Sequence, residues 1–474
     1  MSEPGPAETT TDGVATPVEV SDSTALLLFM SKLGIAMMAA GQSISAIQAS
    51  LATIATAYQV KAQITALPNT LLIKIGGRGQ SEVDLASEVV QPLRLDQTAD
   101  VFNLVKKAET AEIAPLEGVQ RLKEIEGNPS RYSAAVRMLG YAAIAVGIGL
   151  ILEGSFSQLV TCVLLGLLIG ELKELCGRNR TAESFVPVMS SLAVGIIVFS
   201  IVKADVVSGP LMLLIPPVIT FLPGAILTTA LLELTNGNVI SGSSHLVAGG
   251  VKLLLLVFGY IVAAELVGLP TAEAFAQEPR PLFGWWAAWL GVLIYGIGTY
   301  VHHTAPKRSL PWLLLVLYVA FAGQQLGGQM LGSFLSGFVG AVLMTPVAYW
   351  IERRPGAPPA IVTFLPGFWL LVPGSLGLIG LTQLAGDNRQ AGLQTVGDMT
   401  LALVAVALGV MVGTALVQPF GKPLGQLPER TERNLGKVIG KAMTAVTNIQ
   451  EAAERERGRA NKENSERSTY TDDE

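Results

Sequence analysis

Hydrophobic and polar positions divide the chain into a water-compatible beginning, a long apolar middle and a charged end. Ala25 to Val60 is rich in Leu, Ile, Met and Ala, but Lys32, Gln42, Ser45 and Gln48 interrupt it. That spacing predicts a core helix of a soluble domain rather than a membrane span. Lys61–Leu67 and Thr70–Ile75 alternate apolar and polar residues around Pro68-Asn69, which predicts two strands joined by a turn, with a third strand near Val83–Val90. Two further helices are expected over Asp96–Thr110 and Pro115–Glu126. From Ala134 to Gln418 the apolar runs are long enough for about ten spans by the ~20-residue requirement of a bilayer. Their centres fall near Val146, Leu165, Gly195, Leu222, Leu254, Val292, Val316, Phe338, Trp369 and Val406.

Two of these spans carry the same interruption. Pro216–Gly224 reads PPVITFLPG and Pro358–Gly367 reads PPAIVTFLPG. Proline removes a backbone donor and clashes with the preceding turn, so each copy is expected to break its helix and free main-chain groups. In hydrocarbon such groups must be buried in protein or line a wet cavity. The TFLPG copies are offset by 143 (363 against 220), whereas Leu231–Gly242 matches Leu381–Gly392 at 150. The seven extra residues coincide with a second Pro-Gly turn, Pro373-Gly374, after Pro366-Gly367. Matched breaks in two halves of a chain point to the binding site of a secondary transporter.

Charge sets the orientation. Arg131 and Arg137 precede the first span, and Lys173, Arg178 and Arg180 follow the second. Lys307 and Arg308 follow the sixth, Arg353 and Arg354 the eighth, and Lys422, Arg430 and Arg433 the last, while the alternate loops hold only Lys203, Arg280 and Arg389. The positive-inside rule then puts both termini in the cytosol of a cell-membrane protein. Five spans per unit is an odd number, so the second unit starts on the opposite face and the two are inverted repeats. The expected layout is a disordered tail (1–24), a cytosolic α+β domain (25–133), five-helix membrane units over 134–266 and 283–418, and a cytosolic charged helix and tail (428–474). Within the eighth span, Gly332, Ser336 and Gly340 share one helical face and read as a close-packing stripe.

Composition agrees with a membrane class, with 474 residues, 50% hydrophobic, and a mean hydropathy of +0.50 diluted by the polar ends. A net charge of −5 without a basic, aromatic-interleaved patch argues against a nucleic-acid partner. Met1–Ser23 has neither a basic n-region nor an apolar h-region, so it does not read as a signal peptide. Cys162 and Cys176 would lie roughly 21 Å apart on one helix, too far for a disulfide. Gly76-Gly77-Arg78-Gly79 lacks the spacing of a phosphate loop.

The order of features resembles the threonine/serine exporter family. A cytosolic domain with the strand pair VKAQITALPNTLLIKI is followed by five spans and then by a second five-span unit with FLPG and LVPG turns. The resemblance runs from about Ala25 to Gln418. It implies a secondary active transporter that exports small hydroxy amino acids by proton antiport, with lipid, the amino acid and protons as partners and no cofactor. It carries over no established ligand residues, and homo-oligomerisation stays open.

The residues themselves leave a channel or sensor for a small polar solute, and an intramembrane hydrolase, as alternatives. No Walker A, HExxH or GxSxG sequence is present, and the three histidines are His245, His302 and His303, so neither an enzyme nor a metal site is expected. A zwitterion needs donors for its carboxylate and acceptors for its ammonium, and broken helices supply both. Candidate substrate contacts are therefore Pro216, Pro217, Pro223, Gly224, Pro366, Gly367, Pro373 and Gly374, with Thr220, Ser241, Ser243, Ser244 and Thr363 for the hydroxyl. Each Ser or Thr competes with a bond to its own helix. Candidate proton carriers are His245, Glu233 and Lys252, the last two being readable also as headgroup-level or snorkelling charges. His302 and His303 read as an interface cluster beside Lys307.

Overall fold

The computed structural model describes residues 20–76, 81–87, 91–177, 180–207, 209–270, 283–385 and 389–417. The charged segment 428–474, the turn at 386–388 and the glycine turn at 77–80 lie outside them.

The first helical stretch is two helices, α1 (Val20–Ala39) and α2 (Ile44–Ala57), separated at Gly41, whose φ of +80° ends the first. Helix α1 also begins inside the segment expected to be a disordered tail, because Leu26, Phe29, Met30, Leu33 and Met37 form a fully buried stripe at helical spacing. Ser43 caps α2 by accepting from the Ala46 N–H. Strands β1 (Ala62–Leu67), β2 (Thr70–Gly76) and β3 (Ser81–Ser87) make an antiparallel sheet in that order, with Leu67 opposite Thr70 and Thr70 opposite Ser87. Leu71, Ile73 and Ile75 alternate inward onto α1 and α2, so one face of the sheet is core and the other wet. Helices α3 (Leu95–Glu109) and α4 (Pro115–Gly127) complete this α+β layer, whose core runs from Leu26 to Ile125.

The remaining elements are helical. They are α5 (Ala134–Ile151), α6 (Phe156–Cys176), α7 (Arg180–Lys203), the short α8 (Pro210–Leu214) with a 3-10 turn at Pro216–Phe221, α9 (Gly224–Thr235), α10 (Val239–Val267), α11 (Trp286–His302), α12 (Leu310–Leu331), α13 (Ser336–Glu352), α14 (Ala360–Leu371), α15 (Gly374–Ala385) and α16 (Arg389–Val417). Among the described residues, seven helices or helix pairs are long and apolar enough to cross a bilayer. The protein is a multi-pass α-helical membrane protein. Lipid-type exposure runs along α10, where Val247, Val251, Leu254 and Phe258 face outward.

Small residues set the central packing. Helices α5 and α11 approach so closely that a Cβ on Gly147 would lie 2.5 Å from the Tyr295 nitrogen and 2.7 Å from the Gly291 carbonyl oxygen. At the other end of the contact, a Cβ on Gly298 would lie 2.7 Å from the Gly140 carbonyl oxygen. Gly140 thus meets Gly298 and Gly147 meets Gly291, an antiparallel order. The expected stripe in the eighth span is only partly present. Gly340 packs against α12, with the Ala320 carbonyl 2.8 Å from where its Cβ would be, but Gly332 lies before the helix at φ +90°. Its freedom serves a turn, which helix packing cannot use.

The α+β layer is bonded to the helical bundle. Leu95 N–H donates to the His303 carbonyl at 3.0 Å, the Ser130 and Thr304 hydroxyls lie 3.0 Å apart, Lys106 pairs with Glu352, and Asn238 Nδ2 donates to Ser45 Oγ at 2.7 Å. Leu95, Ala99 and Phe102 of α3 share a core with Ile144, Tyr295 and Leu313 of the bundle.

Backbone cannot give way as a side-chain tip can, so Gly147→Ala should lower the thermal unfolding midpoint of the detergent-solubilised protein by the equivalent of about 1–3 kcal/mol. Gly250, on the open side of α10 with nothing within 4 Å, is the control, and Gly250→Ala should hold or raise the midpoint. Equal behaviour of the two variants would sink the close-packing account.

Candidate functional site

The first proline motif breaks its helix. Pro216 and Pro217 open a 3-10 turn, Leu222 is extended (φ −62°, ψ 125°) as residues before proline prefer, and α9 restarts at Gly224. The carbonyls released by the break are met by tyrosines that are fully buried. Tyr260 Oη donates to the Leu214 carbonyl at 2.6 Å and Tyr141 Oη donates to the Pro217 carbonyl at 2.8 Å.

The second motif behaves differently from expectation. Helix α14 runs through Pro366 and Gly367, and the interruption comes six residues later, at Val372 (φ −73°, ψ 129°) before Pro373. Gly367 is a packing position, 3.0 Å from Met344 Sδ at its would-be Cβ. From α11, Tyr295 Oη donates to the Pro366 carbonyl at 3.2 Å. The structural equivalent of Pro223-Gly224 is therefore Pro373-Gly374, and the common offset is 150. Pro210 and Ala360, Gly224 and Gly374, and Val239 and Arg389 begin corresponding elements, and Phe221 and Leu371, Thr235 and Ala385, and Val267 and Val417 end them.

The two breaks meet. A Cβ on Gly224 would lie 2.3 Å from Val372 Cγ1 and 3.1 Å from Gly374 Cα, and one on Gly374 would lie 3.1 Å from Leu222 Cβ. Only glycine permits this approach. Beside the meeting point is a cavity of about 270 Å³, bounded by Ile215 and Ile219 of the first break, Pro373 and Ser375 of the second, and Gln324 and Ser336 from α12 and α13. Apolar walls with a few polar groups are the usual lining of a small-molecule site.

A cationic cluster backs the first break. Lys173, in the last turn of α6, donates to His302 Nε2 at 3.2 Å and to Thr220 Oγ1 at 3.4 Å, and its ammonium lies 5.0 Å from the Tyr141 ring centroid. His302 Nδ1 is 3.0 Å from the Arg137 carbonyl, which fixes that nitrogen as the donor and leaves Nε2 to accept. Thr220 Oγ1 also lies 3.0 Å from Tyr141 Oη. Arg137 forms a bidentate pair with Glu174, and His303 packs 4.9 Å from the Trp369 ring.

The other expected residues are scattered. Thr363 Oγ1 bonds to the Ala360 carbonyl of its own helix, and Ser243 and Ser244, both exposed, bond back to Ile240. Ser241 is buried, 3.5 Å from His245 Nδ1 one turn along α10. His245 is half-buried and Lys252 lies on the outward face of α10. Glu233 is 1% exposed, away from any headgroup. Its Oε1 accepts from the Ile44 N–H at 2.7 Å, at the first turn of α2, where the helix dipole favours a carboxylate, and Oε2 has no hydrogen-bond partner among the described residues. Gln324, Ser336, Ser375, Lys173 and His302 did not emerge from the sequence as site residues. Neither did Asp398, the one acidic residue in the 29-residue α16. Gln324, Ser336, Ser375 and Asp398 are polar groups in apolar runs, the signal that could have found them, whereas Lys173 and His302 sit in polar stretches at helix ends and give no such signal.

Broken helices meeting beside a cavity, in a bundle of membrane spans, are the features of a membrane transporter. The chain belongs to the threonine/serine exporter family, whose model (ThrE) matches residues 28–267, half of its length. That is a family of exporters, not enzymes. The chain is 22% identical over 439 residues to the "Probable threonine/serine exporter" of Mycobacterium tuberculosis, covering 86% of this chain and 81% of that one. To the "Threonine/serine exporter" of Corynebacterium glutamicum it is 20% identical over 445 residues, 86% of each. To "Pheromone-regulated membrane protein 10" of Yarrowia lipolytica it is 22% identical over 365 residues, 71% of this chain but only 29% of that protein's length. No solved structure matches.

Replacing Tyr141 by Phe leaves the Pro217 carbonyl buried without its donor, at a cost of about 1–3 kcal/mol. Tyr141→Phe and Tyr260→Phe should each lower the thermal midpoint and slow transport in proteoliposomes, whereas Ser243→Ala should change neither. A Tyr141→Phe, Tyr260→Phe double variant with wild-type stability and flux would refute the role given to the hydroxyls.

Proposed function

We propose that the chain is a secondary active exporter of small hydroxy amino acids, threonine and serine, driven by proton entry across a cell membrane. The observation that carries the reading is the meeting of the two breaks at Gly224 and Gly374 beside the 270 Å³ cavity. The names of the relatives supply the substrate class. Backbone N–H and C=O groups at the breaks, other than the carbonyls held by Tyr141 and Tyr260, receive the carboxylate and ammonium, and Ser375 or Gln324 receives the hydroxyl.

The two halves, 134–266 and 283–418, are read as inverted five-helix units. Reciprocal contacts support this, since a two-fold axis requires that residue i meet j and j meet i. At an offset of 151, Gly140 corresponds to Gly291 and Gly147 to Gly298, and each meets the counterpart of the other. Helix α9 packs on α16 as α15 packs on α10.

Parity supports ten spans. The α+β layer runs into the bundle after Ser130 and bonds to Asn238, His303 and Glu352, and a layer on one side of the bilayer requires an even number of crossings between successive points. The seven long segments leave an odd number in all three intervals. Adding α6, α11 and α13, of 21, 17 and 17 residues, makes each even, and 17 residues span about 26 Å. The basic loops support reading that side, both termini and a regulatory or gating α+β domain (25–133) as cytosolic.

For proton exchange, the Lys173–His302 pair is favoured over His245, Glu233 and Lys252. It joins the first break through Thr220, and a proton can pass between its two nitrogens without a change of partners. Its charged and titratable neighbours are Arg137, Glu174, Tyr141 and His303.

Threonine is a zwitterion at neutral pH, so its export alone gains nothing from the membrane potential. One entering proton adds about 2.3 kcal/mol per 100 mV, enough for a roughly fiftyfold gradient at 1.4 kcal/mol per decade. In proteoliposomes with an imposed potential, L-threonine accumulation should collapse with a protonophore. His302→Gln should keep threonine exchange and lose proton-driven accumulation, while His245→Gln should keep both. Accumulation that survives the protonophore, or full coupling in His302→Gln, would overturn the mechanism.

A further inference from the structure

A second cleft lies where the α+β layer meets the bundle. It encloses about 530 Å³, and its walls carry opposite charges. One wall is α3, where Asp96, Asp100 and Asn103 sit at i, i+4 and i+7 and so share a face. A second stretch of wall, opposite in charge, is made by the segment after α4, with Asn128 and Arg131, and the segment after α11, with Lys307. The floor is Gly356 to Pro359, the turn that leads directly into α14 and its break.

The two walls differ in how far their charges are already spent. Asp96 is engaged by Arg94, Nε to Oδ1 at 3.0 Å. Asp100 makes no hydrogen bond or ion pair among the described residues. Burial lifts its carboxyl above the ordinary aspartate range, opposed by Arg121 and reinforced by Asp96. A cation arriving beside Asp100 would relieve that penalty. Arg131 is held in place by the Ala305 carbonyl at 3.0 Å and by the rings of Tyr132 and Tyr300, through Nη2 and its planar face. Its remaining N–H groups are left for an acceptor, since a guanidinium has five. Lys307 is exposed at the rim.

An anion such as phosphate would face two aspartates there, and a metal ion would face Arg131 and Lys307. A small molecule that carries both signs satisfies both walls. We propose that this cleft is a binding site for a free α-amino acid, with its ammonium on Asp100 and its carboxylate between Arg131 and Lys307. The ligand class follows from the charges of the walls, while equating that ligand with the exported solute rests on the export reading above. Because α3 and the turn leading into α14 both border the cleft, occupancy ties the α+β layer to the start of α14 and makes the site one of substrate capture or sensing on that face.

The test is calorimetric titration of the full-length protein in lipid nanodiscs with L-threonine, N-acetyl-L-threonine and L-threonine amide. The expected result is saturable L-threonine binding at this cleft, at least tenfold weaker in Asp100→Asn and in Lys307→Gln, with neither single-charge analogue binding there. Lys307 is exposed and lacks structural partners among the described residues, so its loss should leave folding intact, as thermal midpoints would verify. No saturable binding, equal binding of all three compounds, or wild-type titrations in both variants would overturn the site. Threonine flux in proteoliposomes separates the two readings. Flux with unaltered titrations in the variants removes this site and keeps export, whereas charge-dependent binding without flux keeps this site and removes export.

Discussion

Hydrocarbon offers no partner to a freed carbonyl, and the bundle is arranged around that fact. A proline motif that breaks a span leaves backbone oxygens which water cannot reach, each costing several kcal/mol if left alone. Tyr141 and Tyr260 supply the donors at the first break, one hydroxyl per carbonyl, from the buried faces of α5 and α10. Tyr141, and Tyr295 through the Pro366 carbonyl, tie the helices that carry the proline motifs to the closely packed α5–α11 pair. Backbone distortion is thereby confined to the places where Gly224 and Gly374 touch and the cavity opens.

The glycines work with the tyrosines. Gly140, Gly147, Gly291 and Gly298 bring α5 and α11 into backbone contact, which positions Tyr141 and Tyr295 to reach over to the two proline motifs. Without hydrophobic drive between helices in lipid, such close approach is a main source of packing energy. Under the proposed mechanism, α5 and α11 then form a fixed axis about which the broken helices rearrange.

The α+β layer is bound to the bundle by polar contacts at helix ends, with Glu233 buried against the first turn of α2 as the most enclosed of them. A carboxylate held in this way resists separation of the layer from the α9–α10 turn. Movement of α9 during transport would therefore be felt by α2, and through the shared core of α3 by the loops below α14.

Local pattern was enough to reveal the three strands, the α+β layer, the apolar middle and the existence of two breaks, because alternation, helical stripes and proline chemistry act over a few residues. It placed Pro223-Gly224 correctly at a break but put the second one at Pro366-Gly367. Nearest-neighbour chemistry is the same at both Pro-Gly pairs, and what chooses between them is the tertiary fit of Gly374 against Leu222 and Gly224. Lys173 and His302 look like ordinary loop charges until α6 and α11 are seen to end beside Thr220. Thr363 and Ser243 look equally suited to a substrate hydroxyl until their bonds to their own helices appear. Sequence by itself determined the strands, most of the helices and the apolar membrane region, since those depend on local burial periodicity and backbone chemistry. Only the tertiary structure decided which polar groups face one another, because that depends on helix rotation and approach, set here by glycines and tyrosines more than a hundred residues apart.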